Sequence, residues 1–548
     1  MQTEAFGAEL KRMGFCDFVG VPCSYLAPLI NWAINENVFV MANNEGEAVA
    51  IASGVSLACG NSSSGNHCAD LLDFESSQTL KSSSLPKSSK NHTSTTTNTR
   101  IVDSTNPSLR ESRSEVSLVK SCNNEMKSTH SKDSPSLAEG VRGWVDSTSD
   151  SRGSILEEKS GLCEASNEIE LKGSSRKRAQ ALHDFNPKDS VRKYGVVLMQ
   201  NSGLSNALSP LTSLNHTFEI PILGFVSLRG EPNQAGQNTD EPQHELLGKI
   251  TDKLLQTCEI ECAFLDSRFE VACEQLAQAK KVLESNKSFF FIVRNSCFEK
   301  VALTNNPLDS SKICHTECNE VSQKAQRDSS PTAQNDKDNA PKDSAQKPTR
   351  LEALSIIQNL GTNCALLATT GKCGRELYEL GDKPNQLYMV GSMGCVSALG
   401  LGIALKSCKK VIAIDGDSAL LMRLGTLSGN AYYTKLANKG NLCHILLDNQ
   451  SHDSTGGQFN LSPFVDFVAI AKSCGYAVAR EAQTLDEFSA LLREFVSAKN
   501  GGAWFIYLQI AKGSKKDLGR PKITPKQVAL RFGAWLNENL ECADAHKL

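Results

Sequence analysis

The sequence has little of several features that would point to particular classes of protein. Its 548 residues carry a formal net charge of only −3, which gives no electrostatic reason to expect binding to nucleic acid. No apolar stretch reaches the roughly 18 residues that a membrane-spanning helix needs. Residues 1–20 predict an amphipathic helix followed by a strand, not a signal peptide. We therefore expect a cytoplasmic protein that binds neither nucleic acid nor membranes.

Paired cysteines are also missing, because none of the 19 cysteines forms a CxxC motif. Cys59, Cys364 and Cys443 lie in apolar runs, where a free thiol behaves as a small hydrophobic side chain. The stretch "CHTEC" (314–318) resembles half of a zinc site, but no second ligand pair accompanies it. We interpret the cysteines as reduced structural thiols, and zinc at 314–318 is the less favoured alternative.

Aromatic residues make up only 6% of the chain, and they are scarcest in one long segment. Between Asn61 and Ser190 the sequence has 30 serines and three aromatic residues. Such a composition cannot bury enough apolar surface to offset the entropy lost on ordering. We predict a disordered insertion at 61–190 and, from a second polar stretch, an interdomain linker at 305–349.

The rest of the chain contains two blocks, residues 1–60 with 191–304 and residues 350–548, in which short apolar runs alternate with helical patterns. The predicted strands are "DFVGVP", "VFVMA", "YGVVLMQN", "PILGFVSL" and "SFFFIVRN", then "CALLATT", "QLYMVG", "KVIAID", "CHILLDN" and "AWFIYLQI". The predicted helices include "EAVAIASGVSLA", "ITDKLLQTCEIECAFL", "SALGLGIALKS", "LLMRLGTLSGNAYY" and "PFVDFVAIAKSCG". This alternation predicts an α/β protein with two domains, each a parallel sheet covered by helices.

Polar side chains follow two neighbouring strands of the second block. "KVIAID" continues into Gly416-Asp417-Ser418, and "CHILLDN" ends at Asn449, 32 residues after Asp417. This spacing fits one strand–helix–strand unit, so both side chains are expected at the carboxyl edge of the sheet, where ligands bind. Carboxylate, amide and carbonyl oxygens suit Mg²⁺, and an adjacent helix N-terminus suits a diphosphate. The alternative is that Asp417 caps a helix and Asn449 shapes a turn, and Asp415 is interpreted as structural.

These segments resemble the cofactor motif of the thiamin diphosphate-dependent enzymes, which begins with Gly-Asp-Gly and closes on an asparagine. The resemblance implies that Gly416, Asp417, Ser418 and Asn449 bind the cofactor. It also implies that Asp417, Asn449 and the main-chain carbonyl of Ser451 hold Mg²⁺. The sequence departs from the motif at Ser418, which replaces a glycine, and in an asparagine that comes a few residues late.

Two further segments carry the same resemblance. "GSMGCVSALGLGIAL" is a glycine-rich turn that opens a helix, a pattern that alone indicates only close packing. The resemblance implies that Gly391 and Ser392 line the cofactor and that Met393 wedges between its two rings. "NNEGEAVAIASG" resembles the segment that carries the glutamate of the pyrimidine-binding domain, which implies that Glu45 shares a proton with the aminopyrimidine ring. The alternative is that Glu45 lies at an exposed helix end.

The remaining matches narrow the resemblance to the phosphonopyruvate decarboxylases, whose chains contain only a pyrimidine-binding and a diphosphate-binding domain. The matching segments are "GVPCSYLAPLINW", "QNSGLSNALSPLTSL", "SLRGEP", "TDEPQHELLGKIT", "TTGKCGREL" and "LLDNQSHDSTGGQ". The resemblance implies a lyase that decarboxylates 3-phosphonopyruvate to phosphonoacetaldehyde and CO₂, on the way to 2-aminoethylphosphonate. It assigns 1–60 with 191–304 to the pyrimidine-binding domain and 350–548 to the diphosphate-binding domain.

A 2-oxo acid that bears a phosphonate needs cations and hydrogen-bond donors, and arginine suits tetrahedral anions. The candidates for binding it are Arg229, Lys372, Arg375, Ser454 and Thr455, although each alone could be an ordinary surface residue. The candidates for proton handling are His244 and His452. Residues 201–203, which follow a predicted strand, are expected to line the cofactor or the substrate, and the alternative is that they cap a helix.

The resemblance also implies a homodimer or larger homo-oligomer in which Glu45 and Asp417 meet across a subunit interface. Two other functions stay open. One is decarboxylation of sulfopyruvate, which has a sulfonate in place of the phosphonate. The other is a non-catalytic scaffold of the same fold, although the presence of Glu45, Asp417 and Asn449 argues against it.

Overall fold

The computed structural model describes four stretches of the chain, all within one compact unit: residues 1–59, 192–305, 347–499 and 501–538. The predicted insertion at 61–190, most of the predicted linker and the "CHTEC" stretch lie outside the described residues. The domain boundaries assigned from the sequence therefore stay a prediction. None of the helices in the described stretches is long and apolar enough to cross a membrane.

The first sheet has six parallel strands in the order β2-β1-β3-β4-β6-β5. Its strands are β1 (Asp17–Gly20), β2 (Phe39–Met41), β3 (Gly195–Gln200), β4 (Leu223–Ser227), β5 (Glu261–Phe264) and β6 (Phe289–Val293). The accompanying helices are α1 (Thr3–Arg12), α2 (Ala27–Asn35), α3 (Glu45–Cys59), α4 (Leu204–Pro210), α5 (Glu245–Thr257) and α6 (Phe269–Glu284). Because β4 and β6 are buried throughout, they appear in the sequence as continuous apolar runs.

The second sheet also has six parallel strands, in the order β11-β12-β10-β9-β7-β8. Its strands are β7 (Cys364–Ala368), β8 (Gln386–Tyr388), β9 (Lys410–Gly416), β10 (Leu442–Asp448), β11 (Val478–Ala482) and β12 (Trp504–Gln509). The accompanying helices are α7 (Arg350–Leu360), α8 (Lys372–Glu379), α9 (Val396–Lys406), α10 (Asp417–Met422), α11 (Thr426–Leu436), α12 (Phe467–Ser473), α13 (Leu485–Ser497) and α14 (Pro525–Asn537). The predicted fold class is confirmed.

Three of the predicted helices are wrong in extent. The helix predicted over "ITDKLLQTCEIECAFL" ends at Thr257, because Glu259 adopts a positive φ of 58° that reverses the chain before β5. The helix predicted over "LLMRLGTLSGNAYY" is interrupted at residues 423–425 and forms α10 and α11. The helix predicted over "PFVDFVAIAKSCG" starts only at Phe467, where the Asp466 side chain accepts a hydrogen bond from the Ala469 amide and caps it.

Two buried helices, α3 and α9, bring the two sheets together in the described chain. A Cβ atom on Gly54 of α3 would lie 2.3 Å from the Leu399 carbonyl oxygen, and one on Gly402 of α9 would lie 2.1 Å from the Ile51 carbonyl oxygen. The glycines therefore allow the two helix backbones to touch. At the start of both helices, the Cys395 Sγ lies 3.9 Å from the Gly46 carbonyl oxygen. The N-termini of α3 and α9 consequently lie at the same end of the helix pair.

Candidate active site

Asp417 lies at the junction of β9 and α10, with only 3% of its surface exposed. Its Oδ2 accepts a 2.8 Å hydrogen bond from the Gln450 amide, and its Oδ1 accepts one of 3.1 Å from the Ser418 hydroxyl. Gln450 follows Asn449 directly, at the end of the neighbouring strand β10. The structure thus brings together the two strand ends that the sequence places at one edge of the sheet.

Asn449 is buried, and both ends of its side-chain amide have partners. The Nδ2 donates to the Asp453 Oδ2 at 2.5 Å, and the Oδ1 lies 3.3 Å from the Ser451 amide. Gln450, between them, has a positive φ of 57°, which turns the chain sharply after the strand. This turn buries Ser451 beside Asn449. The predicted metal ligands Asp417, Asn449 and Ser451 therefore lie in one buried strand-end cluster.

A second carboxylate, Asp448, lies against Asp417 and was not predicted. It accepts hydrogen bonds of 2.9 Å each from the Gln450 amide, the Ser462 hydroxyl and the Tyr507 hydroxyl. Burial and its hydrogen bond with Asp417 raise the pKa of Asp448 to about 6. Two buried carboxyl groups in contact favour the binding of a cation, which would balance both charges. Asp448 directly precedes Asn449 at the end of β10, so the reasoning that located Asn449 at the carboxyl edge of the sheet could also have identified Asp448.

The surroundings of the strand ends are polar. The Asn460 Nδ2 donates to the Ser418 hydroxyl at 2.8 Å, which ties the loop after β10 to the start of α10. No atom lies within 4 Å of the place where a Cβ atom on Gly416 would be, so the backbone faces open space there. Asp415 accepts from the Gly416 amide at 3.0 Å, and its Oδ2 lies 3.3 Å from the Nε2 of the fully buried His444. Asp415 is therefore structural, as predicted.

The glycine-rich turn before α9 contacts the first half of the chain. Ser392 has a φ of 55° and Gly394 one of 79°, and the Cys395 amide donates to the Ser392 carbonyl oxygen at 3.0 Å. The Ser392 and Ser213 hydroxyl oxygens lie 2.7 Å apart, and Gly391 lies beside the same serine. Met393 is half-buried. The turn is thus held in a tight conformation at the end of the α3–α9 pair where Glu45 lies.

Glu45 is the first residue of α3 and is only 9% exposed, so the alternative that it lies at an exposed helix end is wrong. Its Oε2 accepts a 2.9 Å hydrogen bond from the Asn206 Nδ2. A Cβ atom on Gly203 would lie 2.0 Å from the Glu45 Oε1. The segment that follows β3, predicted to line the site, therefore packs directly against this carboxyl group.

Arg423 connects the turn that carries Glu45 to the end of α10. Its guanidinium donates to the Asn44 Oδ1, and a longer contact of 3.5 Å reaches the Asn206 carbonyl oxygen. Within one chain, the helix that begins at Asp417 thus ends beside the helix that begins at Glu45. No sequence pattern points to Arg423, because its partner Asn44 lies 379 residues away.

Arg229 and His244, two predicted site residues, lie in one network of charged side chains. The Arg229 Nε donates to the Asp240 Oδ2 at 2.6 Å, and its Nη2 donates to the Asp240 Oδ1 at 2.5 Å and to the Glu241 Oε2 at 3.1 Å. The hydrogen bonds between Arg229 and Asp240 raise the pKa of the guanidinium and hold that of the carboxyl well below its usual range. The buried His244 Nε2 lies 3.2 Å from the Glu241 Oε2.

This network lies close to Glu45. Residues 201–203 connect the two, because a Cβ atom on Gly203 would lie 2.0 Å from the Glu45 Oε1 and Asn201 contacts Arg229. The backbone of Arg229 is fixed by Asn201, whose Nδ2 donates to the Arg229 carbonyl oxygen at 2.8 Å.

Three other predicted substrate-binding residues lie at the start of α8 and on an adjacent loop, namely Lys372, Ser454 and Thr455. Lys372 starts α8 directly after Gly371, and a Cβ atom on that glycine would lie 2.7 Å from the Ser454 Oγ. Thr455, in the same exposed loop as Ser454, donates to the Gln458 Oε1 at 2.9 Å. The His452 amide donates to the Gln458 carbonyl oxygen at 2.8 Å, which closes the loop.

Arg375, in contrast, turns to the backbone of the segment after β12. Its Nε donates to the Gly519 carbonyl oxygen at 2.8 Å, and its Nη2 donates to that of Leu518. The guanidinium thus fixes the loop at 518–519.

Comparisons with known proteins agree with this fold. The family described as "Thiamine pyrophosphate enzyme, C-terminal TPP binding domain" matches residues 370–507, and thiamine pyrophosphate is another name for thiamin diphosphate. A phosphonopyruvate decarboxylase of Streptomyces viridochromogenes is 37% identical over 62% of this chain and 79% of that protein. The sulfopyruvate decarboxylase subunit beta of Methanothermobacter thermautotrophicus is 38% identical over 26% of this chain and 75% of that subunit.

Among solved structures, the thiamine diphosphate-dependent 4-hydroxybenzoylformate decarboxylase of Rhodococcus jostii RHA1 shares the fold. It superposes with a TM-score of 0.50 at 10% sequence identity, over 94% of this chain and 100% of that chain. Fold, site and matches together define the class, which is that of the thiamin diphosphate-dependent decarboxylases. Within that class, the chain belongs to the phosphonopyruvate decarboxylase family. The predicted family is confirmed.

Proposed function

We propose that the chain decarboxylates 3-phosphonopyruvate to phosphonoacetaldehyde and CO₂, with thiamin diphosphate and Mg²⁺, in the biosynthesis of phosphonates such as 2-aminoethylphosphonate. The observation that carries the choice of substrate is the extent of similarity. The phosphonopyruvate decarboxylase of Streptomyces viridochromogenes is matched over 62% of this chain and 79% of that protein, whereas the sulfopyruvate decarboxylase of Methanosarcina acetivorans is matched over 32% of this chain and 41% of that protein.

The strand-end cluster is the proposed site for Mg²⁺ and the diphosphate. Asp417, the Asn449 side chain and the main-chain carbonyl of Ser451 would supply oxygen ligands, which Mg²⁺ prefers. The buried contact between Asp417 and Asp448 supports a cation there, because two carboxylates without one repel each other. When bound, thiamin diphosphate supplies the nucleophilic carbon and the electron sink for decarboxylation. The open space at Gly416 and the start of α10 at Asp417 leave room for its phosphates.

Glu45 is the proposed proton-handling group for the aminopyrimidine ring, and Asn206 orients its carboxyl group by donating to Oε2. Gly391, Ser392 and Met393 are proposed to line the same ring, with Met393 as the wedge. The tight turn supports this role, because it fixes the direction in which the Met393 side chain leaves the backbone.

The phosphonate is proposed to lie near the loops that carry Lys372, Ser454 and Thr455, with His244 and His452 as candidates for proton handling. Arg229 and Arg375 are also proposed substrate ligands. Arg229 would have to exchange Asp240 for the substrate, and Arg375 would have to release the backbone of residues 518–519. Binding of the phosphonate by Lys372 would therefore break fewer of these hydrogen bonds than binding by Arg229 or Arg375.

A substrate panel tests the proposal. We expect the chain, with thiamin diphosphate and Mg²⁺, to release CO₂ from phosphonopyruvate with a larger kcat/KM than from sulfopyruvate or pyruvate. The difference from pyruvate should be large, because a substrate without the anionic group cannot form the charge-assisted hydrogen bonds that the proposed site offers. A larger kcat/KM for sulfopyruvate would assign the second candidate function, which the similarity to the sulfopyruvate decarboxylase subunit favours.

We also propose that the working unit is a homodimer or larger homo-oligomer with active sites at subunit interfaces. Phe459 and Phe464 are 82% and 85% exposed, and both lie in the segment whose Asn460 and Ser462 contact Ser418 and Asp448. Exposed apolar side chains beside a site favour coverage by a partner.

Mixing two inactive variants, Glu45→Gln and Asp417→Ala, is expected to restore part of the activity if the sites are shared. In a mixed dimer, one interface would then combine an intact Glu45 with an intact Asp417. Sedimentation of each variant checks that both still assemble. If the mixture stays inactive although mixed dimers form, each chain completes its own site, as the contact between Arg423 and Asn44 within one chain would allow.

A further inference from the structure

Asp453 connects the proposed metal ligand Asn449 to a buried arginine. Its Oδ2 accepts three hydrogen bonds, from the Asn449 Nδ2 at 2.5 Å, the Arg350 Nη2 at 3.0 Å and the Gly513 amide at 3.0 Å. A carboxylate oxygen that accepts hydrogen bonds from an amide group, a guanidinium and a backbone N–H is fixed in place, because hydrogen bonds that involve a charged group are stronger than those between neutral groups.

Arg350 is itself held on several sides and is 8% exposed. Its Nη1 lies 3.6 Å from the Oε2 of the buried Glu376 and donates to the Gly513 carbonyl oxygen at 3.4 Å. Arg350 is also the first residue of α7, where Thr349 and Glu352 form a capping box that fixes the first turn. The guanidinium therefore has one well-defined position between Asp453 and Glu376.

We propose that Arg350 and Asp453 are positioning residues that set the orientation of the Asn449 side-chain amide. The inference rests on the proposed metal site. An asparagine amide has a donor end and an acceptor end, and only its oxygen can bind a cation. Because the Asp453 carboxylate can accept a hydrogen bond but not donate one, it fixes the Asn449 Nδ2 on its own side. The Oδ1 accepts only the long 3.3 Å hydrogen bond from the Ser451 amide, so its second lone pair is available for Mg²⁺.

We call this series of contacts from Arg350 through Asp453 to Asn449 the relay. It also explains why a charged pair lies next to the segment at 449–453 that carries two of the proposed metal ligands. Without the negative charge at residue 453, the Asn449 amide can rotate and present its NH₂ group to the cation. Without Arg350, Asp453 loses the cation that fixes its own orientation and balances its charge. Loss of such outer partners typically lowers metal affinity about 10- to 100-fold.

The test compares Asp453→Asn and Arg350→Met with a matched pair elsewhere in the same half of the chain. The control pair is Arg531 and Asp382, also partly buried and joined at 2.6 Å, changed to Arg531→Met and Asp382→Asn. Thiamin diphosphate binding is measured by isothermal titration at a series of Mg²⁺ concentrations, and the melting temperature is measured without either ligand. We expect the Mg²⁺ concentration for half-maximal binding to rise about 10- to 100-fold in Asp453→Asn and several-fold in Arg350→Met.

The controls are expected to keep the wild-type Mg²⁺ dependence even where their melting temperature falls. A milder variant, Arg350→Lys, retains the positive charge, and its Mg²⁺ concentration for half-maximal binding should lie between those of Arg350→Met and the wild type. The comparison can therefore still be made if the other variants fold poorly. If the Asp453 and Arg350 variants lose thermal stability but bind Mg²⁺ and cofactor like the controls, their role is structural and the relay is refuted. If the wild-type chain itself shows no Mg²⁺-dependent binding, the proposed function fails, and the relay fails with it.

Discussion

Asp417→Ala is expected to abolish Mg²⁺-dependent binding of thiamin diphosphate. The loss should exceed the roughly 10- to 100-fold reduction that removal of an outer partner of a metal ligand causes, because Asp417 is itself the proposed charged ligand. Asp417 also accepts a hydrogen bond from the Gln450 amide, at the start of the turn that holds Ser451 beside Asn449. Alanine therefore removes one ligand and releases the loop that carries the other two.

Asp417→Asn separates these two effects. The asparagine oxygen can still accept the Gln450 hydrogen bond, but the charge is lost, so affinity for the cation should fall while the loop keeps its shape. The melting temperature without ligands should not fall, because the variant also removes the contact between two buried carboxyl groups at Asp417 and Asp448. Titration calorimetry with and without Mg²⁺ measures the binding, and Asp382→Asn is the control. Retention of micromolar, Mg²⁺-dependent binding by Asp417→Ala would rule out the proposed metal site.

The fold could be predicted from the sequence wherever a strand is buried on both faces. All ten predicted strands are present, because a short, continuous apolar run between two helical patterns is typical of a buried strand in an α/β protein. The two strands that were not predicted, β5 and β11, lie at the edges of their sheets, as do β2 and β8, whose apolar runs made them predictable. An edge strand is paired on one side only, so it can carry charged residues, and Glu261 in β5 and Arg480 in β11 remove the apolar signature there.

Some residues of the site could likewise be predicted from local sequence, whereas others depend on contacts between distant parts of the chain. Asp417 and Asn449 could be found because parallel strands end at one edge, so their spacing along the chain gives their proximity in space. The partners that orient the proposed catalytic and metal-binding groups could not be found in this way. Asn206 is 161 residues from Glu45, and Arg350 is 103 residues from Asp453. No pattern of period 2 or 3.6 connects such residues, since only the packing of separate elements brings them together.

Charged residues were the least predictable part of the site. Cations in strand-end segments suit an anionic substrate, so the sequence points to Arg229 and Arg375, yet Arg229 pairs with Asp240 and Arg375 with backbone carbonyl groups. A guanidinium has five N–H donors, so it binds whichever acceptors surround it, and the sequence does not specify them. The residue type therefore indicates the class of ligand, but only the structure shows which donors are already in use.

Glu45→Gln is expected to lower kcat about 100- to 10,000-fold, the range that loss of a general acid–base group costs. Glutamine has nearly the same shape and can still accept the hydrogen bond from Asn206, so the packing around residue 45 should be preserved. Affinity for thiamin diphosphate should change little, because the proposed diphosphate and metal ligands belong to the other sheet. The measurements are steady-state decarboxylation of phosphonopyruvate and calorimetric binding of the cofactor.

Glu47→Gln provides a matched control on the same helix. Glu47 is fully buried and accepts a 3.0 Å hydrogen bond from the Asn43 amide, and burial raises its pKa. A neutral side chain there should cost little, so this variant is expected to keep nearly full turnover.

Gly203→Ala tests the position of the Glu45 carboxyl group without changing its chemistry. The new methyl group would lie 2.0 Å from the Glu45 Oε1, so the carboxyl must move and turnover should fall as it does in Glu45→Gln. Gly519→Ala, where no atom lies within 4 Å of the added carbon, controls for the substitution itself. The assignment of the proton-handling role to Glu45 fails if Glu45→Gln turns over like the wild type. It fails equally if Glu47→Gln loses as much kcat at unchanged cofactor affinity, because the essential carboxyl group would then be Glu47.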